Sequence, residues 1–157
     1  MHKDTVVSNS SPLISLFNIG RIELLQMLYG KIIIPQAVNN EVFGEKEKQD
    51  IEWLKVMPIT DLKLQTYLSP LLHKGETEVI VLAKEINADL VIIDDYLARK
   101  YAQYLGLTIT GTLGVIVKAK RKGIIEHVKP LLDELIEKEF WIDQELFSTV
   151  LDIAGER

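Results

Sequence analysis

Five acidic side chains, Glu41, Glu76, Glu78, Asp94 and Asp95, fall at or just after points where predicted strands give way to helices. In an α/β protein the carboxyl ends of parallel strands line one edge of the sheet, and ligands bind in the crevice there. Carboxylates scattered along the chain can therefore converge in space. Crowded negative charges oppose one another's ionisation, and a hard cation such as Mg²⁺ or Mn²⁺ with oxygen ligands relieves that repulsion. The chemistry such a cluster suits is metal-dependent hydrolysis of a phosphodiester bond.

Taken singly, each acid also has an ordinary role. Glu76 and Glu78 fit the first turn of a helix, where the helix dipole favours negative charge. Asp95 fits an N-cap ahead of a helix beginning at Tyr96, and Glu41 alone reads as a surface residue. The combination points to a site, because Glu41, Glu78 and Asp94 or Asp95 each follow a different strand or break on the same predicted edge.

Basic residues admit two readings as well. Lys118, Lys120, Arg121 and Lys122 suit either a helix end, where cations meet the dipole, or a phosphate-binding patch. Arg99 lies one turn after Asp95 and suits an i, i+4 pair with it or a phosphate contact. His2, His73 and His127 show no ligand spacing and read as surface residues. The chain has no Gly-x-Ser-x-Gly elbow, and the glycines at 111 and 114 are not followed by the Gly-Lys-Ser/Thr of a nucleotide-binding loop.

The elements that must position these residues follow from periodicity. Thr5 to Ser8 reads as a buried strand, with Ser10 and Ser11 as N-cap candidates and Pro12 opening a helix over Leu13 to Phe17. Leu24, Leu25 and Leu28 recur at helical spacing up to Gly30. Lys31 to Ile34 is a second strand closed by Pro35, and Gln36 to Phe43 a helix. Ile51, Trp53 and Leu54 suggest a helix, Val56 to Ile59 an extended piece interrupted by Pro58, and Leu62 to Leu72 a helical stretch. After Gly75, residues Val79, Ile80, Leu82, Ala83 and Ile86 form an apolar helix face. Leu90 to Ile93 is continuously apolar, as a strand buried on both faces is. A helix from Tyr96 to Leu105, a strand from Thr108 to Thr110 and a helix opening at Thr112 or Gly114 come next. Val128 to Lys138 is amphipathic, and Trp141 to Ile153 is expected to dock through Trp141, Phe147 and Leu151. Strands alternating with helices predict a small α/β fold with a mostly parallel sheet.

At 157 residues, 47% hydrophobic and 26% charged, the chain has the composition of one globular domain, residues 1–157. It has no cysteine, which excludes disulfides, thiol nucleophiles and Cys-ligated metals and fits the cytoplasm. No apolar run approaches the ~20 residues of a membrane span. A net charge of −5 argues against a general nucleic-acid coat protein but not against a nuclease with local basic patches.

Several runs in this order resemble the PIN-domain superfamily: Val6 to Ile14; Ile34, Pro35, Val38 and Glu41; Gly75, Glu76, Glu78, Ile80 and Ala83; Ile93, Asp94, Asp95, Arg99 and Ala102; Gly106; and Gly111 to Gly114. The turn at Gly111 followed by Ala119, Lys120 and Gly123 is similar to a prokaryotic branch related to VapC toxins. The resemblance covers the chain from Thr5 to about Glu156. It implies a three-layer fold and a Mg²⁺- or Mn²⁺-dependent ribonuclease acting on single-stranded RNA, with a small antitoxin and a second copy of the chain as partners. Carried over by position, the ligands are Asn9, Glu41, Glu78 and Asp95, with Asp94 and Glu76 near enough to substitute or to support them. Ser11 matches the hydroxyl that follows the first acid by two positions. Arg99, Lys118, Lys120 and Arg121 become RNA contacts. The family usually has Asp at the first position, where this chain has Asn9, an oxygen donor without charge. A silent PIN-like binding module is therefore the alternative, and a phospho-acceptor receiver domain is a third reading, disfavoured because it needs an acidic pair after the first strand.

Overall fold

A computed structural model of the chain describes residues 4–44 and 51–157; His2, expected at the surface, lies outside them. The elements run β1 (Val6–Ser8), α1 (Ser10–Asn18), α2 (Glu23–Tyr29), β2 (Ile32–Pro35), α3 (Gln36–Phe43), β3 (Leu54–Met57) and α4 (Leu62–Leu68). There follow α5 (Lys74–Glu85), β4 (Leu90–Ile92), α6 (Tyr96–Tyr104), β5 (Ile109–Thr110), α7 (Thr112–Arg121), α8 (Lys129–Glu137) and α9 (Gln144–Ala154). The five strands form one sheet in the order β3-β2-β1-β4-β5, and every pairing among the described residues is parallel. The fold is α/β, as expected.

Chain direction reverses at the middle of this sheet. From β1 the chain crosses outward to β2 and β3, and from β4 it crosses the other way to β5. Such a reversal leaves a crevice beyond the carboxyl ends of β1 and β4, and parallel neighbours need crossover connections that run over the faces of the sheet. Helix α5 packs on β1, β2 and β4 with α4 and α6 beside it, while α2 and α7 pack together and α9 lies against α7. Val6, Val7, Ile32, Ile34, Val91 and Ile92 are fully buried in the sheet, which accounts for the unbroken apolar runs that predicted strands covered on both sides.

Four expectations need correction. Leu54 is not helical but opens β3, paired with Ile32 in register; a three-residue apolar cluster fits either period, and the partner strand decides. Pro58, which lacks an N–H for a ladder, stands just past the end of β3. Helix α1 starts earlier than expected, with Asn9 as N-cap and Pro12 as its third residue, where its missing N–H still costs no helical hydrogen bond. The helix expected to reach Leu72 ends at Leu68. Trp141 does not dock: it is 78% exposed, whereas Leu151 is buried. Among the described residues no helix is long and apolar enough to cross a membrane.

Candidate active site

Asn9 is the first residue past β1, and its N–H donates to Ile92 O at 2.9 Å, carrying the β1–β4 pairing one step beyond the strand. That bond fixes residue 9 over the carboxyl edge, 4% exposed. Although it is the N-cap of α1, its carboxamide makes no capping hydrogen bond. Residue 9 lines the cavity that opens here, of about 1200 Å³. Asn9, Glu41, Glu76, Asp94, Asp95 and Arg99 all line it.

Glu41 reaches the cavity from α3. Ser10 Oγ donates to its Oε2 at 3.1 Å, and His73 Nδ1 lies 3.9 Å from the same oxygen. Gly75 makes this position possible, since a Cβ there would come within 1.9 Å of Glu41 Oε1. His73 is the N-cap of α5, its Nδ1 accepting from Gly75 N at 3.3 Å, and it too lines the cavity. The sequence marked His73 only as a surface residue. Its signal was its place just ahead of the Lys74–Gly75–Glu76 helix start.

Glu76 enters from the first turn of α5. Its carboxyl is pushed up from the usual range by partial burial and then by the Asp95 carboxylate; His73, through charge and its backbone N–H, pulls the other way, and Glu41 adds to the rise. Glu76 thus feels the carboxylates of Asp95 and Glu41, which line the same cavity from the end of β4 and from α3. Asp95 caps α6, accepting from Ala98 N at 2.9 Å. Asp94 holds the start of α7, accepting from Thr112 N at 2.7 Å and Thr112 Oγ1 at 2.6 Å. A Cβ at Gly111 would collide with both Asp94 and Arg99. Arg99 Nη1 donates to Ile93 O at 2.8 Å, rather than pairing with Asp95.

Glu78 is placed elsewhere. It is 7% exposed, and its Oε1 accepts from Ala37 N at 3.0 Å. The N-cap of α3 is Pro35, which has no side-chain acceptor, so Glu78 supplies from α5 the cap that α3 lacks. The acid that α5 presents to the cavity is Glu76.

The basic patch also divides. Lys120 Nζ bonds Ala154 O and Glu156 Oε2, and Lys118 lies 4.5 Å over the ring of Tyr29. Lys118 and Arg121 line a second, smaller cavity; of the four expected RNA contacts, Arg99 alone lines the acidic one. Ser11, Ser15 and Asn18 add a polar stripe to its wall. Their i, i+4, i+7 spacing is a helical face that periodicity could have revealed.

A family model described as a PIN domain matches residues 5–156. The chain is a PIN domain. PIN domains are generally nucleases, and in this one Glu41, Glu76, Asp94 and Asp95 line the cavity at the carboxyl edge of the sheet while Glu78 bonds the start of α3. No curated protein matches the chain. PIN domains typically use divalent metals, and the cavity can be asked whether it suits one. Its lining offers oxygen donors from Glu41, Glu76, Asp95 and Asn9, and the Asp95 and Glu41 charges that add to the burial-driven rise of Glu76 are what a cation relieves. Among the described residues no three His, Asp or Glu side chains form a ligand group for one ion. Mg²⁺ needs none, since it usually keeps several waters and takes one or two carboxylates. The residues fit that mode of binding.

Proposed function

We propose that this PIN domain is a metal-dependent ribonuclease of the VapC-like kind, acting in the cytoplasm on single-stranded RNA. The observation that carries the reading is the convergence of Glu41, Glu76 and Asp95, from α3, α5 and the end of β4, on one cavity at the carboxyl edge of the sheet. Glu41, Glu76 and Asp95 would hold Mg²⁺ or Mn²⁺, directly or through water, with the Asn9 amide oxygen beside them. Bound there, the ion lowers the pKa of a coordinated water and stabilises charge on the phosphate.

The chain's own groups do the positioning. Ser10 holds Glu41 by a hydrogen bond, and Gly75 leaves the space it occupies. Asp94 ties the start of α7 to the end of β4, and it keeps its place in the cavity wall while doing so. Arg99, with one amino group on Ile93 O, has further N–H donors for a phosphate. A small antitoxin and a second copy of the chain are the protein partners this reading brings.

One observation favours the second reading, a silent RNA- or protein-binding module. Asn9 withholds the charge an Asp would supply, and ligand charge count helps to set affinity. RNA cleavage by purified protein separates the two. Degradation that requires Mg²⁺ or Mn²⁺ and is lost in Asp95→Asn supports the nuclease; RNA binding without cleavage at any metal concentration supports the module.

A further inference from the structure

One stretch of the cavity lining carries none of the candidate metal ligands. It comes from the segment that leaves α8, where Glu139 takes a left-handed conformation at φ 68°. A non-glycine residue there carries strain of about 1–3 kcal/mol. The turn is held by Glu139 N to Ile136 O at 3.0 Å and Phe140 N to Leu135 O at 2.9 Å. It sets Lys138, Phe140 and Trp141 in the cavity lining, with Trp141 78% exposed. An indole left this open contributes little to the core.

We propose that Trp141 is a stacking platform for an unpaired nucleobase of the strand whose phosphate faces the acids. The proposal rests on the nuclease reading and adds to its single-stranded substrate the residue that holds an unstacked base. A flat aromatic face takes any base, because every base has a π-face. Lys138 beside it supplies positive charge for the backbone, and the amide and hydroxyls of Asn18, Ser15 and Ser11 on the cavity wall can meet base or ribose edges. A cavity of about 1200 Å³ exceeds the roughly 300–1,000 Å³ of small-molecule sites, as a segment of polymer requires. Leu135, Phe140 and Leu146 share the lining with the indole, and the lysine and polar stripe add the charge and hydrogen bonds that a nucleotide uses.

The test uses fluorescein-labelled single-stranded oligoribonucleotide of mixed sequence, in Ca²⁺, with the strand checked to be intact afterwards. Trp141→Ala should weaken binding, read by anisotropy, roughly 5- to 150-fold, and Trp141→Phe should lose less. The chain has two tryptophans, so Trp53→Phe leaves Trp141 as the only indole. Its emission should be quenched by unlabelled single strand and much less by a blunt duplex of the same sequence. Binding by Trp141→Ala within twofold of wild type overturns the platform and leaves the nuclease reading standing. Absence of RNA binding in every variant overturns both, and a Trp141→Ala protein that instead loses self-association in sedimentation assigns the indole to a protein contact.

Discussion

Glu76 and Glu78 stand two residues apart on α5 and serve different surroundings: Glu76 lines the cavity and feels Asp95, whereas Glu78 accepts from the N–H of Ala37. On the proposed reading, Glu76 serves the chemistry and Glu78 the fold. Glu78→Ala strands a buried N–H at the start of α3, at a cost of about 1–3 kcal/mol in urea denaturation. The variant should keep the metal-induced rise in Tm of the wild type. Glu76→Gln should do the opposite, losing the metal response while raising the metal-free Tm at neutral pH, because it removes a charge that is disfavoured in the folded state. The sign follows from the raised pKa: ionised Glu76 disfavours folding above the usual carboxylate range, and protonation removes that effect below it. An unchanged fold and a lost metal response in Glu78→Ala would return the third ligand to position 78.

Gly75→Ala separates stability from function at one atom. The added Cβ meets the end of the flexible Glu41 side chain rather than backbone, and alanine suits a helix better than glycine by about 0.5–1 kcal/mol. The variant should melt at a higher temperature and bind Mn²⁺ several-fold more weakly in calorimetric titration. Unaltered Mn²⁺ affinity would mean that Glu41 does not touch the ion.

How much of this was legible in the sequence depended on how local each cause is. Strands β1, β2 and β4 announced themselves because both their faces are buried, and Asp95 as a cap because the helix it starts is adjacent in sequence. Strand β3 was obscure because its identity comes from pairing with Ile32 to Pro35. The bond from Glu78 to the start of α3 was hidden for the same reason. Nothing near it in sequence says that Pro35, more than forty residues earlier, leaves α3 uncapped. Lys120 read as a helix-end or phosphate-binding cation because Glu156, which holds it, lies 36 residues further along the chain.

That last pair predicts an acid transition. Partial burial would raise the Glu156 carboxyl, but hydrogen bonds from Lys120 and from the N–H groups of Val128 and Lys129 outweigh it and hold the group at about 2. A depressed carboxylate contributes stability that is full above its unfolded pKa, near 4.5, and lost as pH falls towards about 2. Glu156→Gln should therefore be less stable than wild type at pH 7, and the gap should close across that window. A gap that stays constant down to pH 2 would remove the ionised pair from the account.

Asn9→Asp examines the departure from the family directly. Since the amide makes no capping bond and lines the cavity, an Asp there should join the acids. It should tighten Mn²⁺ binding, raise RNA cleavage and lower the metal-free Tm through added repulsion. If affinity, activity and metal-free stability all stay at wild-type values, residue 9 plays no part in the site.

The most direct measurement is the rate at which purified protein cleaves single-stranded RNA against Mn²⁺ concentration, for wild type, Glu76→Gln and Glu78→Gln. Cleavage by wild type that saturates with Mn²⁺, stops in EDTA, vanishes in Glu76→Gln and persists in folded Glu78→Gln is the predicted result. Cleavage that continues in EDTA, or that Glu76→Gln leaves intact, would contradict a metal site built on Glu41, Glu76 and Asp95.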